Sequence, residues 1–342
     1  MSSSAVEGRI GIILANTGTP AEPTPKAVKR YLGRFLTDKR IMPMNPIAWR
    51  IILNLFILPK RSKVSAAKYE SIWTDEGSPL QVTHLKLARA LESRYQARGI
   101  DAVVELFLNY GEVKFEDVLT KLKGAGCERV VVLPLYPQSA YSTCACISDC
   151  LDQAMKKRRF DLPVEFVNGY SDNHVYQRAI AASIEAAGFD VDSDDRILFS
   201  FHSIPLNDID AGDTYELQVG SSSLMIASEL GIDRRRWTIG YQCRFDKGRE
   251  WLKPFTPDVL KRWAETEGGR VFFVCPNFAV DCLETLYDVG HEIKPEYLKM
   301  AREAGREVQD NDFVYVPCLN ATKAHIRVLT DVLKPYIERE AR

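Results

Sequence analysis

Short apolar runs, each broken off by a loop signal, recur along this chain and leave few folds open to it. Residues 9–14 run into Asn16-Thr-Gly-Thr-Pro20, 103–108 into Asn109-Tyr-Gly111, and 129–135 into Tyr136-Pro-Gln138. Residues 164–167 precede Asn168-Gly169, 196–201 run into His202-Ser-Ile-Pro205, 270–274 into Cys275-Pro-Asn277, and 313–316 into Pro317. Such runs are continuously apolar rather than alternating, which is what parallel strands buried on both faces require. Between them, apolar residues recur at helical spacing over 27–36, 85–98, 115–123, 175–187, 222–230, 257–266, 283–291 and 323–338. Strand–helix alternation predicts an α/β fold with parallel sheets. One group of strands precedes residue 160 and another follows it, so two similar Rossmann-like domains are expected, each a sheet flanked by helices, with a ligand cleft between them. The expected division is 1–160, completed by a last helix over 322–342, and 161–321.

Composition narrows the function classes. The 342 residues are 46% hydrophobic and 27% charged, enough for a sizeable core, and the formal net charge is −1. That balance carries no basic footprint for nucleic acid. Residues 1–8 lack the charged and apolar regions of a signal peptide. The apolar stretch 47–58 is shorter than the roughly 20 residues of a membrane span and contains Arg50 and Asn54. The expectation is a cytoplasmic chain in which 47–58 makes a transient surface contact on the inner face of the cytoplasmic membrane. Eight cysteines in such a chain are expected as reduced thiols or metal ligands rather than disulfides.

Ligands of open α/β sheets sit beyond the carboxyl ends of the strands, which points at 16–20, Tyr110, 136–138, 202–205 and 275–278. His202 directly follows an apolar strand, and its imidazole can take a proton or bind a metal near neutral pH; a capping or core histidine is the ordinary alternative. Glu284, Asp288 and Glu292 recur every fourth residue, which places three carboxylates on one helix face. Such a row repels itself unless a cation lies against it, so it reads as a track for divalent cations or protons, or else as a solvated acidic face. Gly290 within it marks a local irregularity or the helix end. Aromatics at strand ends and in loops, among them Tyr69, Tyr136, Trp251 and Phe278, suit a large flat ligand or core packing. Lys60, Arg61 and Lys63 directly follow the apolar stretch, as at a membrane surface or on the rim of a pocket for a carboxylate-bearing ligand.

Ordered motifs from Gly8 to about Leu333 resemble the ferrochelatase family in its Gram-negative bacterial form. The most specific is Ile197-Leu-Phe-Ser-Phe-His-Ser-Ile-Pro205 followed by Ala211-Gly-Asp-Thr-Tyr215, similar to the signature around that family's histidine. Others are Leu14-Ala-Asn-Thr-Gly-Thr-Pro20, Ala27-Val-Lys-Arg-Tyr-Leu32, Gly77-Ser-Pro79, Leu133-Pro-Leu-Tyr-Pro-Gln138, Trp251-Leu-Lys-Pro254, Asp281-Cys-Leu-Glu-Thr-Leu286 and Leu319-Asn-Ala321. The resemblance implies the chelatase form of the Rossmann-like fold and a lyase of haem biosynthesis that inserts Fe²⁺, a substrate, into protoporphyrin IX with release of two protons, with no obligatory organic cofactor. It implies His202 and Glu284 as catalytic and metal-binding residues, with Asp288 and Glu292 as further metal-side acids. Lys60, Arg61, Tyr69 and Ser78 would hold the propionates, while Thr17, Tyr136, Trp251 and Phe278 would line the macrocycle. Residues 47–58 would form an apolar lip.

The chain departs from the family pattern in places. Thr17 stands where relatives carry a bulky apolar or aromatic residue, Val113 and Thr214 replace common prolines, and Asn277 replaces a common glycine. The loop from Gln242 to Trp251 is one residue longer, and Cys282 stands where animal enzymes have histidine. Tyr141 stands at the early cysteine ligand of animal-type [2Fe–2S] clusters, and the tail after Cys318 holds no cysteine. Cys144, Cys146 and Cys150 remain candidate ligands of another cluster, which takes four thiolates; buried structural thiols are the favoured reading. Coproporphyrin as substrate is the alternative within the enzyme class, and Thr17 speaks against it. A non-catalytic tetrapyrrole carrier would need no paired base. The sequence leaves monomer or homodimer open.

Overall fold

The protein is described from a computed structural model, covering residues 8–158, 160–244, 246, 248–266 and 268–338. Residues 1–7, where a signal peptide was sought, the last four positions of the expected final helix, and Phe245 and Lys247 of the lengthened loop lie outside the described residues.

In chain order the elements are β1 (Arg9–Asn16), α1 (Pro25–Phe35), α2 (Pro46–Ile52), α3 (Leu58–Ile72), α4 (Pro79–Gln96), β2 (Ala102–Leu108), α5 (Phe115–Gly124), β3 (Cys127–Pro134), α6 (Cys146–Arg158) and β4 (Val164–Phe166). Then follow α7 (His174–Ala186), β5 (Arg196–His202), α8 (Leu206–Asp210), α9 (Tyr215–Glu229), β6 (Trp237–Gln242), α10 (Thr256–Thr266), β7 (Val271–Val274), α11 (Lys294–Glu303), β8 (Phe313–Val316) and α12 (Lys323–Ile337). Three π-helical stretches join them, at Leu53–Ile57, Tyr141–Ala145 and Glu284–Ile293.

The chain divides into two compact units. The first holds residues up to Tyr136, 141–169 and the chain from Ala321 on; the second holds 137–140 and 170–320. In the first unit the sheet order is β2-β1-β3-β4, all parallel, with Ile12 opposite Val104 on one side and Val131 on the other. The second repeats it as β6-β5-β7-β8, with Phe199 opposite Ile239 and Val274. Both sheets are buried, which accounts for their unbroken apolar strands: Ile12, Val131, Phe199 and Phe272 are fully enclosed. Helices cover them. In the first unit Val118, Leu119 and Leu122 of α5 join Val130 and Val132 in one core cluster; in the second, Leu260 and Trp263 of α10 join Phe273 and Tyr297.

Helix starts follow capping chemistry. Thr24, Asn173 and Thr322 accept the backbone N–H of Ala27, Tyr176 and His325 at the starts of α1, α7 and α12. Two ends differ from the sequence expectation. Strand β6 was not foreseen, because Thr238, Gly240 and Gln242 interrupt its apolar character. The helix expected over 283–291 is instead π-helical from Glu284 to Ile293 and continues into α11, so Gly290 marks an irregularity and not an end. A proline lies two residues past this stretch, Pro295, just as Pro59 lies two residues past Leu53–Ile57. In a plain α-helix each proline ring would press on the carbonyl four residues back and leave it unbonded; the wider i→i+5 turn moves that carbonyl aside.

Candidate active site

The strand order of each sheet reverses between its first and third strands, the place where open α/β sheets bind ligands. In the second unit that place is the carboxyl end of β5 and β7. His202 is the last residue of β5. Its Nδ1–H donates to the Ser203 carbonyl oxygen at 2.7 Å. A carbonyl only accepts, so in the neutral ring the lone pair lies on Nε2. Burial pushes the His202 pKa down, against the opposing pull of the Ser203 carbonyl and the Glu284 charge. The imidazole is therefore neutral at neutral pH. The Tyr215 hydroxyl donates to the His202 carbonyl oxygen at 2.9 Å and fixes the strand end.

Glu284 opens the π-helix. Its charge acts on His202, and the Cys282 thiol, pushed well up by burial and then by Glu284, donates to its carboxylate. Behind it, buried Asp281 is clamped at 2.9 Å by the Thr285 hydroxyl, 2.5 Å by the Tyr315 hydroxyl and 2.6 Å by the Asn320 amide. Three donors on one carboxylate lock the first turn of the π-helix, each charge-assisted bond contributing about 2 kcal/mol. Asp288 continues the row half-buried and Glu292 is exposed. Among the described residues no three His, Cys, Asp or Glu side chains gather to hold a metal ion. The Glu284 charge reaches His202, and Asp288 and Glu292 lie further along the same π-helix. The two remaining candidates of this unit differ in exposure. Trp251 is buried, its indole N–H donating to the Asp246 carbonyl at 3.1 Å with the Arg249 guanidinium 4.9 Å over the ring. Phe278 is half-buried against the core.

The first unit carries a different set at its strand ends. The Tyr136 hydroxyl donates to Asn16 Oδ1 at 2.8 Å and accepts the Thr17 backbone N–H at 2.8 Å, with the Thr17 hydroxyl directly against it. Asn16 Nδ2 in turn donates to His84 Nε2 at 3.1 Å, and His84 Nδ1–H donates to Leu80 O at 2.6 Å. His84 is fully enclosed, and burial pushes its pKa down to about 4. Thr17 is therefore the outer end of a hydrogen-bonded chain that ties a wall tyrosine to the core. Ser78, at the start of α4, shares a 2.8 Å bond with the Thr19 hydroxyl. Tyr69 lies buried on α3 with Trp73 edge-on at 6.3 Å, while Lys60 and Arg61 are exposed on the first turns of the same helix. Upstream, Trp49, Leu53 and Leu58 face inward while Ile47 (74% exposed), Leu55 (65%) and Phe56 (67%) face out. Among the described residues no helix is long and apolar enough to cross a membrane.

The eight cysteines are free thiols. Burial pushes Cys146 up, and Cys150 up to about 11. Sequence reasoning singled out none of four groups near these strand ends. Asn16 and Asp281 lay in matched motifs without a role of their own; His84 left no signal; Gln242, opposite His202, sat on the unforeseen strand.

Comparison with known proteins agrees with this geometry. The Ferrochelatase family profile matches residues 9–336. A ferrochelatase of Actinobacillus pleuropneumoniae serotype 5b is 35% identical over 329 residues, covering 96% of this chain and 99% of that protein. One of Herminiimonas arsenicoxydans is 37% identical over 324 residues, covering 95% of this chain and 86% of that protein. Among solved structures, SirB from Bacillus subtilis with Fe³⁺ superposes with a TM-score of 0.56 at 10% identity, covering 96% of both chains. The sirohydrochlorin chelatase SirB from Bacillus subtilis subspecies spizizenii in complex with cobalt gives 0.53 at 12% identity, over 77% of this chain and 92% of that one. These two show a shared chelatase fold. With a family profile spanning nearly every described residue and relatives matched along their length, the chain belongs to the ferrochelatase family, lyases of haem biosynthesis that act on ferrous iron and a porphyrin.

Proposed function

We propose that the protein inserts Fe²⁺ into protoporphyrin IX to give protohaem, with His202 and Glu284 carrying the chemistry. The supporting observation is the half-buried imidazole of His202 at the carboxyl end of β5, its Nδ1–H held by the Ser203 carbonyl and the Glu284 charge acting on it. Metallation must strip water from Fe²⁺ and remove two pyrrole protons, which calls for a ligand that lets go and a base active near neutral pH. His202 Nε2 receives the metal or a pyrrole proton. Glu284 takes the counterpart role, and Asp288 and Glu292 relay protons outward or cations inward along a helix that passes from half-buried to exposed.

The first unit is assigned the macrocycle. Lys60 and Arg61 attract the propionates, Tyr69 and Ser78 orient them, and Thr17 and Tyr136 line the macrocycle; in the second unit Trp251 and Phe278 are assigned the same role. The exposed apolar row Ile47, Ile51, Leu55 and Phe56, followed by Lys60 and Arg61, suits the surface of an anionic membrane. Cys144, Cys146 and Cys150 are read as structural thiols, since Cys144 and Cys146 pack inside the first unit. Anaerobic mixing with protoporphyrin IX and Fe²⁺, followed by absorbance, tests the reading. The four Q bands should collapse to a metalloporphyrin pattern with the native protein and not with His202→Ala. Porphyrin binding without metallation by the native protein would turn the reading into that of a carrier.

A further inference from the structure

In the first unit one line of hydrogen bonds runs from the core to the strand ends, from Leu80 through His84, Asn16 and Tyr136 to Thr17. Two backbone groups fix the direction of the protons in it. At the inner end the Leu80 carbonyl can only accept, so the contact at 2.6 Å places a proton on His84 Nδ1. In the neutral ring Nε2 then carries the lone pair, and it takes the Asn16 Nδ2–H at 3.1 Å. At the outer end the Thr17 backbone N–H can only donate. It reaches Asn16 Oδ1 at 2.7 Å, which identifies the amide atom on that side as the oxygen. The two ends therefore agree on one orientation of the Asn16 amide.

Proton counting gives the rest. Asn16 Oδ1 holds no proton, so its 2.8 Å contact with the Tyr136 hydroxyl takes up the single proton of that hydroxyl. Burial pushes the Tyr136 pKa up, which keeps that proton in place. The Thr17 hydroxyl lies against the Tyr136 oxygen and must donate to it. That oxygen also accepts the Thr17 N–H at 2.8 Å, so both its lone pairs are in use. Each side-chain proton along the line thus points toward the core. Asn16 and His84 are buried, whereas Tyr136 and Thr17 are half-buried. At this half-buried end Thr17 Oγ keeps a lone pair and has no proton to offer. A ligand group that meets it must be a donor.

A tetrapyrrole has two inner N–H donors before metal insertion and none afterwards. A pyrrole tilted out of the ring plane turns its N–H toward one face, where an acceptor can take it. We propose that Thr17 Oγ accepts an inner N–H of the unmetallated macrocycle, and that His84 is the positioning residue that, through Asn16 and Tyr136, keeps the Thr17 proton turned inward. The first unit then favours substrate over product, because metallation removes the donor that Thr17 recognises. The proposal rests on the reading of Thr17 and Tyr136 as lining the macrocycle.

The test measures, by quenching of tryptophan fluorescence, the dissociation constants of protoporphyrin IX and of its palladium(II) complex. That complex keeps the ring and the propionates, lacks the N–H groups, and its square-planar metal takes no axial ligand. The ratio of the two constants is the readout, because a merely structural change moves both together. Native protein should bind the free ring more tightly. Thr17→Val should lower that preference about fivefold, the worth of one hydrogen bond, and Thr17→Ser should keep it. His84→Leu should lower it in the same direction, and His84→Gln, which again offers Asn16 an acceptor, should restore it. Should His84→Leu not fold, the ring nitrogen-15 shifts of the native protein decide the point. His84, one of five histidines, should show a protonated Nδ1 and an unprotonated Nε2, its signals identified by their loss in His84→Gln. An unchanged ratio in Thr17→Val overturns the proposal. An unchanged ratio in folded His84→Leu, or the opposite tautomer, overturns the part given to His84. A native protein that binds neither ring would strike the reading of the first unit itself, a result separable from both.

Discussion

The two sheets share one strand order, and their ligand ends carry opposite chemistry. Beyond β1 and β3 of the first unit lie hydroxyls and an aromatic ring, Thr17 and Tyr136, anchored through Asn16 to a buried histidine. Beyond β5 and β7 of the second lie an imidazole whose Nδ1–H is held by the Ser203 carbonyl, the buried amide of Gln242 and a carboxylate on a π-helix. The first set is a hydrogen-bonded run of hydroxyls anchored to the core; the second sets titratable groups side by side. A repeated scaffold thus fixes where groups stand, and the few residues after each strand decide what they do. The histidines make the same point. His84 is held between Asn16 and Leu80 by both nitrogens in the core, whereas His202 stands half-buried at a strand end with Nδ1–H donating to the Ser203 carbonyl and the Glu284 charge acting on it.

Breaking each unit separately sharpens the contrast. The largest effect belongs to the second unit: His202→Ala should lower kcat by about 10²–10⁴, the usual worth of a positioned acid–base group, with porphyrin affinity retained in a fluorescence titration. Next, Asp281→Ala removes the acceptor shared by Thr285, Tyr315 and Asn320. Leaving buried donors unsatisfied should cost roughly 3 kcal/mol in denaturant unfolding, and turnover should fall as the π-helix loosens around Glu284.

In the first unit, His84 makes stability depend on pH. Its folded pKa of about 4 lies below the unfolded value of 6.5, so between those values the unfolded chain binds the extra proton and acid favours unfolding. Stability should drop by about 2 kcal/mol from pH 7 to pH 5 on this account, and His84→Leu should flatten the slope. A residual slope of the same sign is expected from His202, whose pKa is also lowered. The smallest effect on stability is expected at the outer row. Leu55→Glu with Phe56→Glu, both about two-thirds exposed, should change stability by less than about 0.5 kcal/mol while abolishing binding to anionic lipid vesicles in a flotation assay.

Much of this was legible in sequence because it rests on local signals. Seven of the strands announced themselves as apolar runs ended by Gly, Pro or Asn, and His202 and Glu284 stood out by position and spacing. The remainder depends on contacts distant in sequence or on geometry that periodicity does not encode. Strand β6 alternates too weakly to separate from a loop. The π-helix from Glu284 to Ile293 has an apolar pattern compatible with an ordinary helix, and only Pro295 beyond it hints at the wider turn. The bond from Asn16 to His84 joins residues 68 positions apart, and no local pattern ties them. Thr17, which departs from the family in type, turns out to hold Tyr136 in place.

The division of labour between the units is tested most directly by Glu284→Gln, measuring porphyrin affinity by fluorescence quenching and Fe²⁺ insertion by absorbance in the same preparation. The account predicts native porphyrin affinity with metallation lowered about a hundredfold or more. Native-like metallation in that variant, or loss of porphyrin binding together with turnover, would contradict it.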